Sequence, residues 1–366
     1  MSGAATRVLL TLDSVGGVWQ YSLDLARALG ERGVKAVLAH MGPAPTAAQR
    51  AEAGAIPSAR LVETGLPLDW LVDGPQPMLA AGAAISRLAR EERVDLVQLN
   101  MPTLGASVRP GVPVVAVAHG CVATWWRAVE RDELPAAFHW HRELSGEGLR
   151  AADVLVAPTA AYARAVAREY GLRRTPLVVH NGRAPIARRG RATAGDGVFT
   201  AGRLWDRAKN AALLDRVAAR LAVPFHAAGP VTGPHGETAS LDHLDLLGSL
   251  DDAALRHWLE QRPVFVSAAC FEPFGLAVLE AAQAGCPLVL SDIPAFRELW
   301  DEAALFVAPD DEPGFGRAIE SIIGDPARRA RLGEAAGERA RLYTPAAMAD
   351  GMLGIYDRLL LRERAA

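Results

Sequence analysis

Short apolar runs alternate with longer stretches at helical spacing along almost the whole of this 366-residue chain, and that alternation leaves few folds open. Residues 8–12 form the first run, bounded by Asp13-Ser14-Val15-Gly16-Gly17. Residues 18–32 then repeat Leu23, Ala26 and Leu29 at helical intervals, so the opening reads as strand, glycine loop, helix. Further pieces follow: strands at 37–39, 96–99, 114–118, 154–157 and 177–180, and helices at 78–92, 134–150 and 160–170. Apolar strands separated by helices pair in parallel and bury both faces of their sheet, so the class is α/β and the first half a doubly wound domain.

Residues 181–197 break the pattern with Pro185, Gly190, Gly195, Gly197 and several arginines, the composition of an interdomain segment. A second series then starts, with strands at 198–201, 225–228, 245–247, 264–266, 288–290 and 305–307 and helices at 208–221, 251–261 and 276–284. The domains expected are 1–183, a linker at 184–197, 198–344, and a C-terminal helix in 345–366 that packs back on the first domain.

Composition narrows the function. Half the residues are hydrophobic and 22% are charged, as in a folded globular protein. The net charge of −3 supplies no bulk positive field for a nucleic acid, so no nucleic-acid partner is expected. Cys121, Cys270 and Cys286 form no CxxC pair, which argues against a disulfide framework or a cysteine zinc site and for a cytoplasmic protein. The residues after Met1 do not read as a signal peptide, and no apolar run reaches the roughly 18 residues of a membrane span.

In parallel sheets ligands bind beyond the carboxyl ends of the strands, so the loops after strands are where chemistry is sought. Gly16-Gly17 either lets the backbone approach a phosphate or sugar, or is an ordinary tight turn. It lacks the third glycine of a dinucleotide fingerprint. In the loop 202–210, Arg203 and Lys209 bracket a turn from which both heads reach one dianion; the alternative is a solvated helix start. Lys209 is one of only two lysines, and a cation at a helix N-terminus calls for a nearby anion.

The run Phe271-Glu272-Pro273-Phe274-Gly275-Leu276, continuing to Glu280, follows an apolar strand and opens a helix near Gly275. Its two acids are roughly 10 Å apart, the span of the two ends of a nucleotide sugar, with the amides of Phe274 to Leu276 between them for a diphosphate. A surface helix bearing two unrelated acids is the other reading. His119, at a strand end, either meets a sugar hydroxyl or is a satisfied structural group. Trp125, Trp126 and Trp140 form a sugar platform or pack between domains. His139 and His141 diverge on a helix and are not read as metal ligands.

Taken together, Gly16-Gly17, His119-Gly120, Asn181-Gly182, Gly202-Arg203 with Lys209, and Glu272-Pro273-Phe274-Gly275-Leu276 running to Glu280 make the chain resemble the retaining glycosyltransferases of family 4. The resemblance implies the GT-B fold, two doubly wound Rossmann-like domains facing across a cleft. It also implies a hexosyltransferase in which Arg203 and Lys209 bind the donor diphosphate, Glu280 the ribose and Glu272 the transferred sugar. His119 lies beside the anomeric centre, and Gly16, Gly17, Asn181, Phe274, Gly275 and Leu276 are donor-binding. The Arg203-to-Lys209 spacing is one residue longer than usual in the family, and Asn181-Gly182-Arg183 replaces an aliphatic-then-Asp continuation.

The donor expected is a UDP-, GDP- or ADP-sugar, with no cofactor and no metal. Asp251-Asp252 reads as a helix N-cap and no Asp-x-Asp motif occupies a suitable loop. The acceptor is a carbohydrate, a lipid-linked or a small molecule. Peripheral membrane contact through Trp125, Trp126, Arg127 and Arg131 stays open. A nucleotide-sugar epimerase, a sugar phosphorylase and a catalytically silent carbohydrate-binding protein are the alternatives.

Overall fold

The computed structural model describes residues 5–186 and 197–365; most of the linker expected at 184–197 lies outside the described residues. The chain divides into two units. One runs to Gly182 and resumes at Pro345, and the other spans Arg183–Thr344.

In the first unit, β1 (Arg7–Asp13), β2 (Lys35–Met41), β3 (Ala59–Leu66), β4 (Leu96–Leu99), β5 (Val114–Val117), β6 (Val154–Ala157) and β7 (Leu177–Val178) form one parallel sheet in the order β3-β2-β1-β4-β5-β6-β7. The helices between them are α1 (Gly17–Gly30), α2 (Ala47–Gly54), α3 (Pro75–Glu91), α4 (Val122–Val129), α5 (His139–Ala151) and α6 (Ala160–Tyr170). The strand β3 and helices α2 and α4 are additions to the sequence reading. β3 is an edge strand of half-exposed residues, so it lacks the continuous apolar run that marks the buried strands. The helix expected from 134 starts instead at His139, after a single 3-10 turn, Ala136–Phe138.

The second unit repeats the plan. β8 (Val198–Ala201), β9 (Phe225–Ala228), β10 (Asp245–Gly248), β11 (Val264–Ser267), β12 (Leu288–Ser291) and β13 (Ala304–Val307) are parallel in the order β10-β9-β8-β11-β12-β13. Around them run α7 (Ala211–Ala218), α8 (Asp252–Glu260), α9 (Leu276–Ala284), α10 (Pro294–Trp300), α11 (Glu312–Ile323) and α12 (Pro326–Ala340). The side chain of Asp251 caps α8 by accepting from the Ala254 amide. The helix expected at 208–221 is interrupted: Arg207–Lys209 is a 3-10 turn and Asn210, at φ +54°, breaks the chain direction before α7. Lys209 therefore sits in a tight turn and not at a helix N-terminus.

The last helix, α13 (Pro345–Ala365), belongs to the first unit and lies against α1. Its Met348, Met352, Ile355 and Tyr356 are fully or almost fully buried in one cluster with Leu23, Leu25 and Leu29 of α1. Each such side chain removed from water is worth about 1.5–3 kcal/mol, so a helix from the far end of the chain is part of the first unit's core. Among the described residues, no helix is long and apolar enough to cross a membrane.

Candidate active site

Both sheets reverse their strand order beside the first strand, between β1 and β4 and again between β8 and β11. Ligands of open parallel sheets bind at such switch points. In the second unit Arg203 and Lys209 follow β8 and Glu272 follows β11; in the first, Gly16 and Gly17 follow β1, whereas His119 follows β5 and Asn181 lies beyond β7.

In the second unit, β8 and β11 pair directly, Val198 with Val264 and Phe199 with Phe265, so the loops that follow them are neighbours despite their separation in sequence. The Lys209 ammonium donates to Glu272 Oε2 at 2.5 Å. A backbone hydrogen bond from the Cys270 amide to the Ala208 carbonyl, 2.9 Å, ties the two loops together just behind that pair. Both charged side chains keep some access to solvent, 23% for Lys209 and 17% for Glu272, so the pair is reachable by a ligand. Arg203 stays closer to home. Its Nη2 donates to Asp206 Oδ2 at 2.9 Å, and its guanidinium lies 5.7 Å from the Trp205 ring centre. The two heads, expected to converge on one dianion, pair here with different carboxylates, Arg203 with Asp206 and Lys209 with Glu272.

Two glycines shape this loop. Gly275 precedes α9 at φ +93°, a left-handed conformation that side chains disfavour, and turns the chain sharply between Glu272 and the helix. Gly229, at φ +135°, follows β9; a Cβ there would stand 1.7 Å from the Gly202 carbonyl oxygen, so only glycine lets that backbone support the loop of Arg203. The sequence reading did not mark Gly229. The side chain of Phe274 is buried and packs edge-on to Tyr343 at 5.7 Å. Leu276 is partly buried at the first turn of α9.

Glu280 lies one turn further along α9 and is held by Arg183, whose Nε and Nη2 both stand 2.6 Å from Oε1. The Arg183 side chain is 5% exposed and that of Glu280 12%, a nearly buried ion pair. Gln283, on the same helix, donates to the Arg183 carbonyl at 2.9 Å. The sequence reading placed Arg183 at the end of the first domain and assigned it no partner; it packs with the second unit.

In the first unit, Gly16 caps α1 with an extended backbone (φ −140°) and Gly17 is exposed at its first position. Asp13 organises the loop by accepting from the amides of Val15 and Gly16. His119 follows β5, the residue partly buried and its ring set edge-on to Tyr21 at 4.3 Å. Burial pushes its pKa down to about 3, so the imidazole is neutral at physiological pH.

His119 Nε2 is 3.1 Å from Asn100 Oδ1, and Asn100 continues a buried polar chain. That chain passes through Thr11 and Ser22 on one side and through Gln98, Tyr21 and Tyr356 on the other. Asn100 and Gln98 escaped the sequence reading, although polar residues inside and at the end of an apolar strand were a visible signal. Asn181 is buried at the end of the first unit. His139 and His141 do diverge: His139 meets the Leu134 carbonyl, while buried His141 pairs with Asp69 at 3.1 Å. Among the described residues, no group of three or more His, Cys, Asp or Glu gathers in a way that holds a metal ion.

Comparison with known proteins agrees with this architecture. A family model described as Glycosyltransferase Family 4 matches residues 15–184, and one described as Glycosyl transferases group 1 matches residues 195–325. A glycogen synthase of Mycobacterium tuberculosis is 38% identical over 95 residues, 25% of this chain and 23% of that protein. A phosphatidyl-myo-inositol mannosyltransferase of Mycolicibacterium smegmatis is 30% identical over 118 residues, 31% of each chain. The matched stretches therefore span less than a third of these curated relatives.

Among solved structures, sucrose-phosphate synthase from Thermosynechococcus elongatus superposes with a TM-score of 0.77 at 17% identity, over 98% of this chain and 100% of that one. HepE of Anabaena, in complex with UDP-glucose, does so with a TM-score of 0.76 at 18% identity, over 96% and 100%. With two family models in succession over most of its length and two parallel sheets of matching topology, the chain belongs to glycosyltransferase family 4 and has the GT-B fold.

Proposed function

We propose that this protein is a retaining, metal-independent hexosyltransferase that moves a sugar from a nucleotide diphosphate to a hydroxyl acceptor. The observation that carries the reading is the Lys209–Glu272 pair, a cation and a carboxylate brought together at the β8/β11 switch point in front of α9. HepE, which has the same fold, was crystallised with UDP and with UDP-glucose, which favours a UDP-sugar among the candidate donors.

The chemistry follows from where charge develops. Breaking the bond between the anomeric carbon and the diphosphate oxygen leaves the electron pair on the diphosphate and oxocarbenium character on the sugar. Lys209 and Arg203 are the fixed cations for the first, and the amides of Gly275 and Leu276 add the partial positive charge of a helix N-terminus. In the resting protein each cation is neutralised by a neighbouring carboxylate, so donor binding exchanges Asp206 and Glu272 for phosphate oxygens. Glu272, once released from Lys209, accepts hydroxyls of the transferred sugar, and Glu280 accepts those of the ribose. His119 meets a sugar hydroxyl. The acceptor oxygen attacks the face that the diphosphate leaves, its proton passing to the departing phosphate oxygen, which retains the anomeric configuration.

Removal of Lys209 tests this. Lys209→Ala is expected to lower kcat by about 100- to 1000-fold, the usual effect of losing one preorganised donor to a developing anion. The folded state is checked by circular dichroism, and donor choice by thermal shift with UDP-, GDP- and ADP-sugars. Full turnover in Lys209→Ala rejects the phosphate role.

A further inference from the structure

The polar chain beneath His119 admits only one direction of hydrogen bonding. The backbone carbonyl of Thr11 can only accept, so the Asn100 side-chain atom 2.7 Å from it is the amide nitrogen, a donor. The same nitrogen also reaches Ser22 Oγ at 3.2 Å. The other terminal atom of Asn100 is then its oxygen, an acceptor. Two nitrogens face that oxygen, Gln98 Nε2 at 2.9 Å and His119 Nε2 at 3.1 Å. Each therefore carries the hydrogen.

The assignment propagates away from the ring as well. Gln98, with its nitrogen turned to Asn100 and to the Tyr21 hydroxyl at 3.2 Å, presents its oxygen to Tyr356. Tyr356, on α13, donates its hydroxyl to that oxygen. Burial raises the pKa of both phenols, so they remain protonated. The Asn100 backbone is itself fixed, its amide donating to Thr11 Oγ1 at 2.9 Å. Thr11, Asn100, Gln98 and Tyr356 are all buried, so water does not compete for these bonds.

We propose that Asn100 is a positioning residue that locks His119 as the Nε2–H tautomer, so that the neutral ring offers Nδ1 as an acceptor for a hydroxyl of the transferred sugar. The inference deepens the function proposed above and rests on its assignment of His119 to the sugar. It also limits what His119 does. A nitrogen lone pair repels phosphate oxygens, which are acceptors too, and so the ring discriminates hydroxyl from phosphate. Tyr21 from α1 and Asn100 beyond β4, which both face the ring, are uncharged.

The test is long-range ¹H–¹⁵N spectroscopy of the full chain labelled at histidine nitrogens, with His119→Gln identifying the signal. In the wild type the His119 pattern is expected to show a protonated Nε2 and a bare Nδ1, without titration between about pH 5 and 8. Asn100→Ala is expected to give a mixed or reversed tautomer and to lower kcat about tenfold with donor KM little changed. Asn100→Asp keeps an acceptor toward His119 but gives up the donor to the Thr11 carbonyl; the folded variant is expected to keep the Nε2–H pattern and to raise the pH at which His119 charges, so that its activity falls on acidification where the wild type's does not. Where neither variant folds, the wild-type spectrum alone decides.

A wild-type ring protonated at Nδ1 or averaging both tautomers overturns the proposal. So does a wild-type pattern that persists in Asn100→Ala. If the tautomer is scrambled in Asn100→Ala while His119→Ala retains full turnover, the lock stands and the sugar contact of His119 is overturned.

Discussion

Replacing Arg183 by methionine strands a carboxylate. The guanidinium places two nitrogens 2.6 Å from Glu280 Oε1, and neither side chain is more than 12% exposed. Removing one partner of a buried pair costs about 3–5 kcal/mol, because the remaining charge keeps its desolvation penalty and loses its counter-charge. Glu280 retains a little solvent, which places the expected loss near the low end, about 3 kcal/mol. Asp252, 3.6 Å from Arg183 and 58% exposed, contributes little to that figure. For a unit of this size 1 kcal/mol lowers Tm by roughly 2–4 °C, so Arg183→Met is expected to lower the second unit's Tm by about 6–12 °C. Adding Glu280→Gln removes the stranded charge and is expected to restore most of the loss.

Urea unfolding, with hydrogen exchange of the α9 peptides to assign the transition to the second unit, measures both the loss and the coupling. The reasoning is wrong if Arg183→Met melts with the wild type, or if the coupling falls below about 0.5 kcal/mol, the value of an exposed pair.

Gly229→Ala forces a Cβ against the Gly202 carbonyl and is expected to cost about 2–3 kcal/mol while raising donor KM, as read by calorimetric unfolding and steady-state kinetics. Met352→Ala, at a fully buried position of α13, is expected to lower stability by about 2–5 kcal/mol, with hydrogen exchange accelerated in α1 and not in α9. Acid should weaken the first unit through its histidines. Burial lowers the pKa of both His119 and His40, so below about pH 6.5 the unfolded chain takes up protons that the folded one refuses. Stability then declines as pH falls from about 6.5 toward 3. His119→Gln should flatten that slope in a series of melts against pH.

Much of this architecture was readable before any coordinates, because buried parallel strands are short unbroken apolar runs and the helices between them carry a 3.6-residue stripe. The acids Glu272 and Glu280 stood out for a similar reason, as charges where the surrounding pattern is apolar. What stayed hidden depends on pairing across the sheet or on single backbone torsions. Nothing local says that Lys209 rests on Glu272, 63 residues away, since that contact exists only because β8 and β11 are neighbours. The positive φ of Asn210 that shortens α7 leaves only a weak trace in sequence, and half-exposed β3 lacks the expected run. Arg183 looked like part of a basic connector, and its burial against α9 follows from tertiary packing alone.

The position of α13 has a consequence for biosynthesis. Everything up to Gly182 leaves the ribosome without the helix that covers α1, and the intervening stretch must be translated before Met348, Met352, Ile355 and Tyr356 arrive. A nascent chain therefore carries an uncovered greasy groove through that interval, a natural point of engagement for chaperones. Completion of the earlier half thus waits on the later one.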